Sequence, residues 1–153
     1  PPRSTLFPYT TLFRSVVGQL NENQRKMLGE SAIDFENHVN ISENEMLNLF
    51  GRCHMLVYIS TYEGFGMPVI EANAVGRPVI ASNIEPINSV AGNGALLVDP
   101  YHTLEIRQGI IKLTLDEGLR NTLVQNGFEN AKRFHPDIVA RQYKEVYESI
   151  LKE

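Results

Sequence analysis

Several residue types are scarce in this chain, and each scarcity excludes a class of protein. The 153 residues contain no tryptophan and one cysteine, Cys53. A single cysteine cannot form a disulfide within the chain, which favours a reducing cytoplasmic compartment. No uninterrupted apolar run is long enough to cross a bilayer as a helix. The four histidines are scattered without the spacing of metal ligands, so we assign no metal.

Basic residues are also few. Lysine and arginine total 14 against 18 aspartates and glutamates, a formal net charge of −4. With no basic stripe to neutralise phosphates, the sequence argues against a nucleic-acid partner. The composition, 42% hydrophobic and 21% charged, is that of an ordinary globular protein. The length suffices for one domain with a core of its own and is too short for two.

The N-terminal segment differs in composition from the rest of the chain. Residues 1–15 contain no acidic residue, no helical period and no apolar core of a signal peptide. Residues 5–15, Thr-Leu-Phe-Pro-Tyr-Thr-Thr-Leu-Phe-Arg-Ser, resemble the conceptual translation of a widely used sequencing-adapter oligonucleotide. We therefore expect residues 1–15 to be a non-native, adapter-derived tail and residues 16–153 to be the domain. The alternative is a genuine linker rich in proline and threonine.

Short apolar runs alternate with amphipathic segments from Val16 onward. Ser42 and Glu45 have the spacing of a capping box, which predicts the start of a helix. Alternation of this kind predicts an α/β fold with a doubly wound parallel sheet. The last helix should bury one stripe of apolar residues, Ile138, Tyr143, Val146, Tyr147 and Ile150. The predicted strands cover 16–17, 38–41, 55–59, 78–82 and 95–98, and the predicted helices cover 21–29, a segment from 42, 67–75, 85–91, 103–115, 117–133 and 136–151.

The segment 60–82 is the most informative part of the sequence. An apolar strand leads into a turn with Gly64 and Gly66, and Pro68 opens a short helix that ends at Gly76. The turn therefore directs backbone N–H groups, at the positive end of a helix, above the strand ends. Such a place suits a phosphate or the hydroxyls of a sugar. Glu63 precedes the turn and Glu71 lies about one helical turn inside, so both carboxylates can border one cleft.

This string resembles the E-x7-E signature of retaining glycosyltransferases with the GT-B fold, family 4, also called glycosyl transferases group 1. Residues 63–68, Glu-Gly-Phe-Gly-Met-Pro, match the family's EGFG-P core, and residues 71–80 match the EA-A-G-PV that follows. Further matches lie at 82–86, 90–92 and 95–100. The resemblance implies the C-terminal, Rossmann-like half of a GT-B fold, with its first βα unit missing.

The same resemblance implies roles for both glutamates. Glu71 would hold the ribose diol of a nucleotide sugar, since a carboxylate can accept two charge-assisted hydrogen bonds. Glu63 would face the transferred hexose as the catalytic residue, orienting a hydroxyl and stabilising developing positive charge. The other donor-binding residues implied are those of the turn, Gly64, Phe65, Gly66 and Met67, whose amides would meet the diphosphate or the sugar. The family works without a metal, and the nucleotide sugar is a substrate, so we expect no cofactor.

The family's other functional parts are absent from this sequence. In GT-B enzymes the acceptor site and a catalytic histidine lie on an N-terminal domain, and a basic Arg/Lys pair follows the first strand of the C-terminal domain. The implied partners are therefore a nucleotide diphosphate sugar, the missing N-terminal domain and a glycan or lipid-linked acceptor. Peripheral association of the full-length enzyme with the inner face of the membrane is a further implication.

We expect a retaining glycosyltransferase that transfers a hexose to a bacterial glycan or lipid-linked acceptor, with the fragment inactive by itself. The alternatives are a non-catalytic nucleotide-sugar-binding module, or another GT-B enzyme such as an epimerase or a phosphorylase. A dinucleotide-dependent dehydrogenase shares the sheet, but its G-x-G-x-x-G does not follow the first strand here, where only Gly18-Gln-Leu-Asn21 is found.

Overall fold

The structure, a computed structural model, describes residues 14–31 and 34–151. Within these residues no helix combines the length and apolar composition needed to cross a membrane. A 3-10 turn covers Gly92–Gly94. The strands are β1 (Arg14–Val17), β2 (Phe35–His38), β3 (Leu56–Tyr58), β4 (Val79–Ser82) and β5 (Leu96–Val98). The helices are α1 (Glu22–Glu30), α2 (Glu43–Arg52), α3 (Met67–Ala74), α4 (Ile87–Ala91), α5 (Thr103–Leu115), α6 (Glu117–Lys132) and α7 (Pro136–Ile150).

The chain divides into two compact units, residues 1–49 and 50–153. In the first unit β1 and β2 pair in parallel, with Val17 beside His38. In the second, β3, β4 and β5 form a parallel sheet in that order. The predicted α/β class with parallel sheets is therefore confirmed.

Strand β2 lies three residues earlier than the sequence predicted, at Phe35–His38 rather than 38–41. The reason is Asn40, whose φ of 55° is left-handed and ends the extended backbone. Ser42 then caps α2 as predicted. Its N–H donates to Glu45 Oε2 at 2.7 Å, and the Glu45 N–H donates to Ser42 Oγ at 3.3 Å. The bonds from the Ser42 N–H and hydroxyl hold the pKa of the Glu45 carboxyl below its usual value.

The predicted non-native tail lies outside the described residues except for its last two. Strand β1 begins at Arg14, two residues before the predicted domain start at Val16. The Arg14 N–H donates to the carbonyl of Asp34 at 3.0 Å. Because backbone pairing does not depend on side-chain identity, this strand leaves the origin of Arg14 and Ser15 untested. The adapter origin of residues 1–15 stays a prediction.

The core of the second unit lies between its sheet and the helices that follow. The buried centre consists of Ile80, Val98, Leu113 and Leu123, which belong to β4, β5, α5 and α6. Helix α5 approaches the sheet closely at Gly109, where an added Cβ would lie 3.2 Å from Val98 Cγ1. This packing fixes the carboxyl ends of β3, β4 and β5 along one edge, the edge at which open α/β sheets bind ligands.

A chain of side-chain amides joins α3 to α6. The Asn130 Nδ2 donates to Asn73 Oδ1 at 3.0 Å and to the carbonyl of Val90 at 2.9 Å. Asn73 Nδ2 donates in turn to the carbonyl of Gly94 at 3.0 Å, and Arg133 Nη1 donates to Asn130 Oδ1 at 2.8 Å. Both amides are buried, and every polar atom of the pair has a partner. A satisfied buried network of this kind holds α3 in one position on α6.

We expect Asn130→Ala to lower the free energy of unfolding by about 1–3 kcal/mol, because it leaves Asn73 Oδ1 and the Val90 carbonyl buried without their donor. Asn121→Ala is the matched control, since Asn121 lies exposed on the same helix. The control should stay within about 0.5 kcal/mol of the wild type. Thermal unfolding of the full-length protein measures both, and equal midpoints for the two variants would contradict the network's role.

The apolar stripe that the sequence predicted to be buried on the last helix is exposed, so that prediction was wrong. Its five members, Ile138, Tyr143, Val146, Tyr147 and Ile150, have exposed fractions from 37% to 62%, and α7 contributes no buried residue. The spacing is amphipathic as predicted, but no element among residues 14–31 and 34–151 covers this face. Periodicity reports which residues share a face and does not report whether a partner lies on it.

The 153-residue chain alone should aggregate and bind no donor. Among the described residues β1 and β3 each pair with one strand only, and α7 exposes its apolar stripe. Unpaired strand edges and uncovered apolar faces promote association. Light scattering after gel filtration, thermal unfolding and a nucleotide-sugar titration measure this. A monomer that unfolds cooperatively and binds the donor would contradict the expectation.

Candidate functional site

The turn between β3 and α3 has a backbone that only glycine adopts readily. Gly66 has φ 105° and ψ 38°, in the left-handed region, and it lies immediately before the first residue of α3. The Val69 N–H donates to the Gly66 carbonyl at 3.0 Å, so the helix begins abruptly at this point. The N–H groups ahead of Val69 have no carbonyl to reach within the helix. They form its positive end, as the sequence predicted for this segment.

The structural requirement for glycine differs between the two glycines of the turn, Gly64 and Gly66. An added Cβ on Gly66 would lie 3.6 Å from Ile87 Cγ1, an ordinary contact, so the requirement there is the backbone angle. An added Cβ on Gly64 would meet nothing within 4 Å. Nothing in the fold therefore demands glycine at 64. Its predicted role, leaving room for the donor to approach the backbone, stays a prediction.

The phenol of Tyr58, at the carboxyl end of β3, contacts one of the two predicted carboxylates. Its hydroxyl donates a hydrogen bond to Glu63 Oε1. Burial raises the pKa of Tyr58, and the hydrogen bond to Glu63 and the negative charges of Glu63 and Glu71 raise it further. Both glutamates are half-buried. The structure thus places Glu63, before the turn, against this phenol, while Glu71 lies further on, within α3.

The side chain of Phe65 connects the turn to the end of α6. Its ring meets the ring of Phe134 edge-on, with centroids 5.8 Å apart and an interplanar angle of 88°. The Arg133 guanidinium carbon lies 5.2 Å from the centroid of Phe134. Such contacts add stabilisation beyond apolar burial. The Met67 side chain is exposed at the start of α3.

Sequence reasoning identified the two glutamates and the turn but missed their supports. It assigned Tyr58 only to an apolar strand, and it gave no role to Asn73, Asn130 or the ring of Phe134. A signal for Tyr58 was present, because it places a polar tip at the carboxyl end of a parallel strand. The partners of Asn73 are 21 and 57 residues away along the chain, so no local pattern could have revealed them.

The structure offers no metal site in the part of the chain that it describes. Residues 14–31 and 34–151 contain no group of three histidine, cysteine, aspartate or glutamate side chains that could hold a metal ion. The groups found at and beside the turn are the carboxylates of Glu63 and Glu71, the phenol of Tyr58 and the N-terminus of α3. Operation without a cofactor remains an expectation from the resemblance.

Comparison with known proteins decides the family. Residues 15–130 match the sequence profile of the family described as glycosyl transferases group 1. The chain belongs to this family. The matched region includes the turn and both glutamates, and the fold is that of the C-terminal half of a GT-B glycosyltransferase, as the sequence resemblance implied.

Similar proteins include two bacterial enzymes and a solved structure. The O-antigen chain mannosyltransferase B of Escherichia coli is 32% identical over 94 residues, which cover 61% of this chain and 25% of the relative. The O-antigen chain mannosyltransferase RfbU of Salmonella typhimurium (strain LT2) is 48% identical over 60 residues, 39% of this chain and 17% of the relative. A glycosyltransferase from Rickettsia africae ESF-5 superposes with a TM-score of 0.78 at 22% identity, covering 91% of this chain and 40% of that chain. The chain thus spans a quarter or less of both enzymes.

We expect Gly66→Ala to affect stability and Gly64→Ala to affect donor binding. Gly66→Ala forces a side chain into the left-handed region and should lower the free energy of unfolding by about 1–2 kcal/mol. Gly64→Ala should leave stability within about 0.5 kcal/mol of the wild type and raise the donor KM. Thermal unfolding and donor kinetics of the full-length protein measure the pair. A Gly64→Ala protein with unchanged KM would show that no ligand approaches that backbone.

Proposed function

We propose that the full-length protein is a retaining glycosyltransferase that transfers a hexose from a nucleoside diphosphate sugar to a glycan or lipid-linked acceptor. The domain described here holds the donor. The observation that carries the proposal is the hydrogen bond from Tyr58 to Glu63 beside the turn that starts α3, the helix on which Glu71 lies. Family membership supports the reaction class.

Glu71 binds the ribose of the donor in this proposal. Its carboxylate lies on α3, and the buried residues Val69, Ala72 and Asn73 hold that helix. A carboxylate accepts hydrogen bonds from two adjacent hydroxyls, and such charge-assisted bonds are stronger than neutral ones. The contact is the same before and during the reaction, so it contributes to binding rather than to turnover.

The start of α3 stabilises the leaving diphosphate. As the glycosidic bond breaks, the bonding electron pair moves to the phosphate oxygen, and negative charge grows there. The amides of Phe65 and Met67 supply donors at the positive end of the helix, next to Gly66. The helix dipole adds about 0.3–1 kcal/mol at an exposed site, and up to about 2 kcal/mol when partly buried.

Glu63 acts on the hexose. It lies between the strand end at Tyr58 and the turn, so it faces the sugar when the diphosphate lies over α3. Its carboxylate orients a sugar hydroxyl and stabilises the positive charge that develops on the ring as the leaving group departs. This interaction is strongest in the transition state, and Glu63 is therefore the catalytic residue of the proposal.

Mannose is the first sugar to test. The relatives at 32% and 48% identity are both named O-antigen chain mannosyltransferases, and the second aligns over 60 residues. Because both relatives are named for the O-antigen chain, a bacterial polysaccharide chain is the acceptor class to test first. The domain's part in this choice is the hexose-facing surface at Glu63 and the turn.

We expect substitutions of the two glutamates to change different kinetic parameters of the full-length enzyme when the donor concentration is varied. Glu71→Ala should raise the donor KM by about tenfold or more with a smaller change in kcat. Glu63→Ala should lower kcat by about a hundredfold with a smaller change in KM. Glu117→Ala is the control, because Glu117 is an exposed glutamate at the start of α6.

An unchanged donor KM for Glu71→Ala would count against the ribose assignment. An unchanged kcat for Glu63→Ala would remove the catalytic role. A product that has inverted configuration at the transferred anomeric carbon, read by NMR, would overturn retention while leaving the transfer itself in place.

A further inference from the structure

The phenol of Tyr58 contacts Glu63, the first of the two predicted site carboxylates. It ends β3, five residues before Glu63, and its side chain is half-buried at the floor of the turn. A buried phenol needs a hydrogen-bond acceptor, and Tyr58 uses Glu63 Oε1.

We propose that Tyr58 is a positioning residue for Glu63, holding one carboxylate oxygen so that the other is presented to the hexose of the donor. This inference rests on the proposed function, because it requires Glu63 to act on the sugar. Tyr58 does not touch the reacting atoms in this account. It acts through the glutamate.

The geometry explains why the glutamate needs such a support. Glu63 lies in the loop between β3 and α3, outside any helix or strand. A free glutamate would lose rotamer entropy on meeting the sugar. Tyr58 belongs to a strand whose neighbour, β4, is fully buried, so its position is set by the sheet. The hydrogen bond transfers that rigidity to the loop carboxylate.

The protonation state suits the role. Burial of the phenol raises the pKa of Tyr58, and the hydrogen bond to Glu63 and the negative charges of Glu63 and Glu71 raise it further. The hydroxyl therefore remains a hydrogen-bond donor throughout the neutral and mildly alkaline range. With one oxygen of Glu63 occupied by this donor, the remaining oxygen is the acceptor offered to a sugar hydroxyl.

A double-mutant cycle between Tyr58→Phe and Glu63→Ala tests the inference in the full-length enzyme, with a nucleoside diphosphate hexose as the varied donor. Tyr58→Phe keeps the ring and removes the donor, so kcat should fall about tenfold while the donor KM changes by less than about threefold. In the Glu63→Ala background the same change should alter kcat by less than about twofold.

Tyr101→Phe is the matched control, since Tyr101 is exposed on the loop after β5 and should keep wild-type kinetics. If Tyr58→Phe does not fold, Tyr58→Leu, which also lacks a donor, takes its place in the cycle.

The outcomes separate this inference from the proposed function. If Glu63→Ala lowers kcat and Tyr58→Phe does not, the positioning role is overturned and the proposed function stands. If Tyr58→Phe costs the same in both backgrounds, the phenol acts independently of Glu63, and the inference is again overturned. If Glu63→Ala itself leaves kcat unchanged, the catalytic role of Glu63 fails, and the inference fails with it.

Discussion

The packing of helix α3 against its neighbours is the constraint on which the site depends. The helix is eight residues long, and half of them are buried, including Val69, Ala72 and Asn73. Its approach to α6 is close, because an added Cβ on Gly127 would come within 2.8 Å of Asn73 Nδ2. A helix this short has little stability of its own, so tertiary contacts must hold it. Everything that the site offers, the amides at its start and the carboxylate of Glu71, is placed by those contacts.

The supports of the site reach it from three directions. The sheet supplies Tyr58, which holds the carboxylate of Glu63. Helix α6 supplies Asn130, which bonds to Asn73 two residues beyond Glu71. Phe134, two residues after the end of that helix, meets the ring of Phe65 in the turn. The turn and the helix are therefore restrained at both ends, and preorganised groups of this kind stabilise charge without having to reorganise during the reaction.

Local patterns in the sequence predicted the secondary-structure elements and the turn before α3. They failed where the structure depends on contacts between residues that are distant in the sequence. The capping box at Ser42 and the glycine and proline residues that mark the start of α3 are local signals, and both are present in the structure. The end of β2 was misplaced because the left-handed backbone of Asn40 leaves only a weak sequence signal. The stripe on α7 was recognised as a face and wrongly assigned to the core. The amide pair and the phenol–carboxylate bond depend on tertiary contacts that no periodicity encodes.

In the proposed function, this domain holds a nucleotide sugar with its ribose on Glu71 and its diphosphate at the start of α3. A crystal structure of the full-length enzyme with a bound nucleoside diphosphate hexose tests it most directly. The account predicts both ribose hydroxyls within hydrogen-bond distance of the Glu71 carboxylate, about 2.5–3.2 Å, and the phosphates against the Phe65 and Met67 amides. A donor bound with its ribose away from Glu71, or with its phosphates away from α3, would contradict the account.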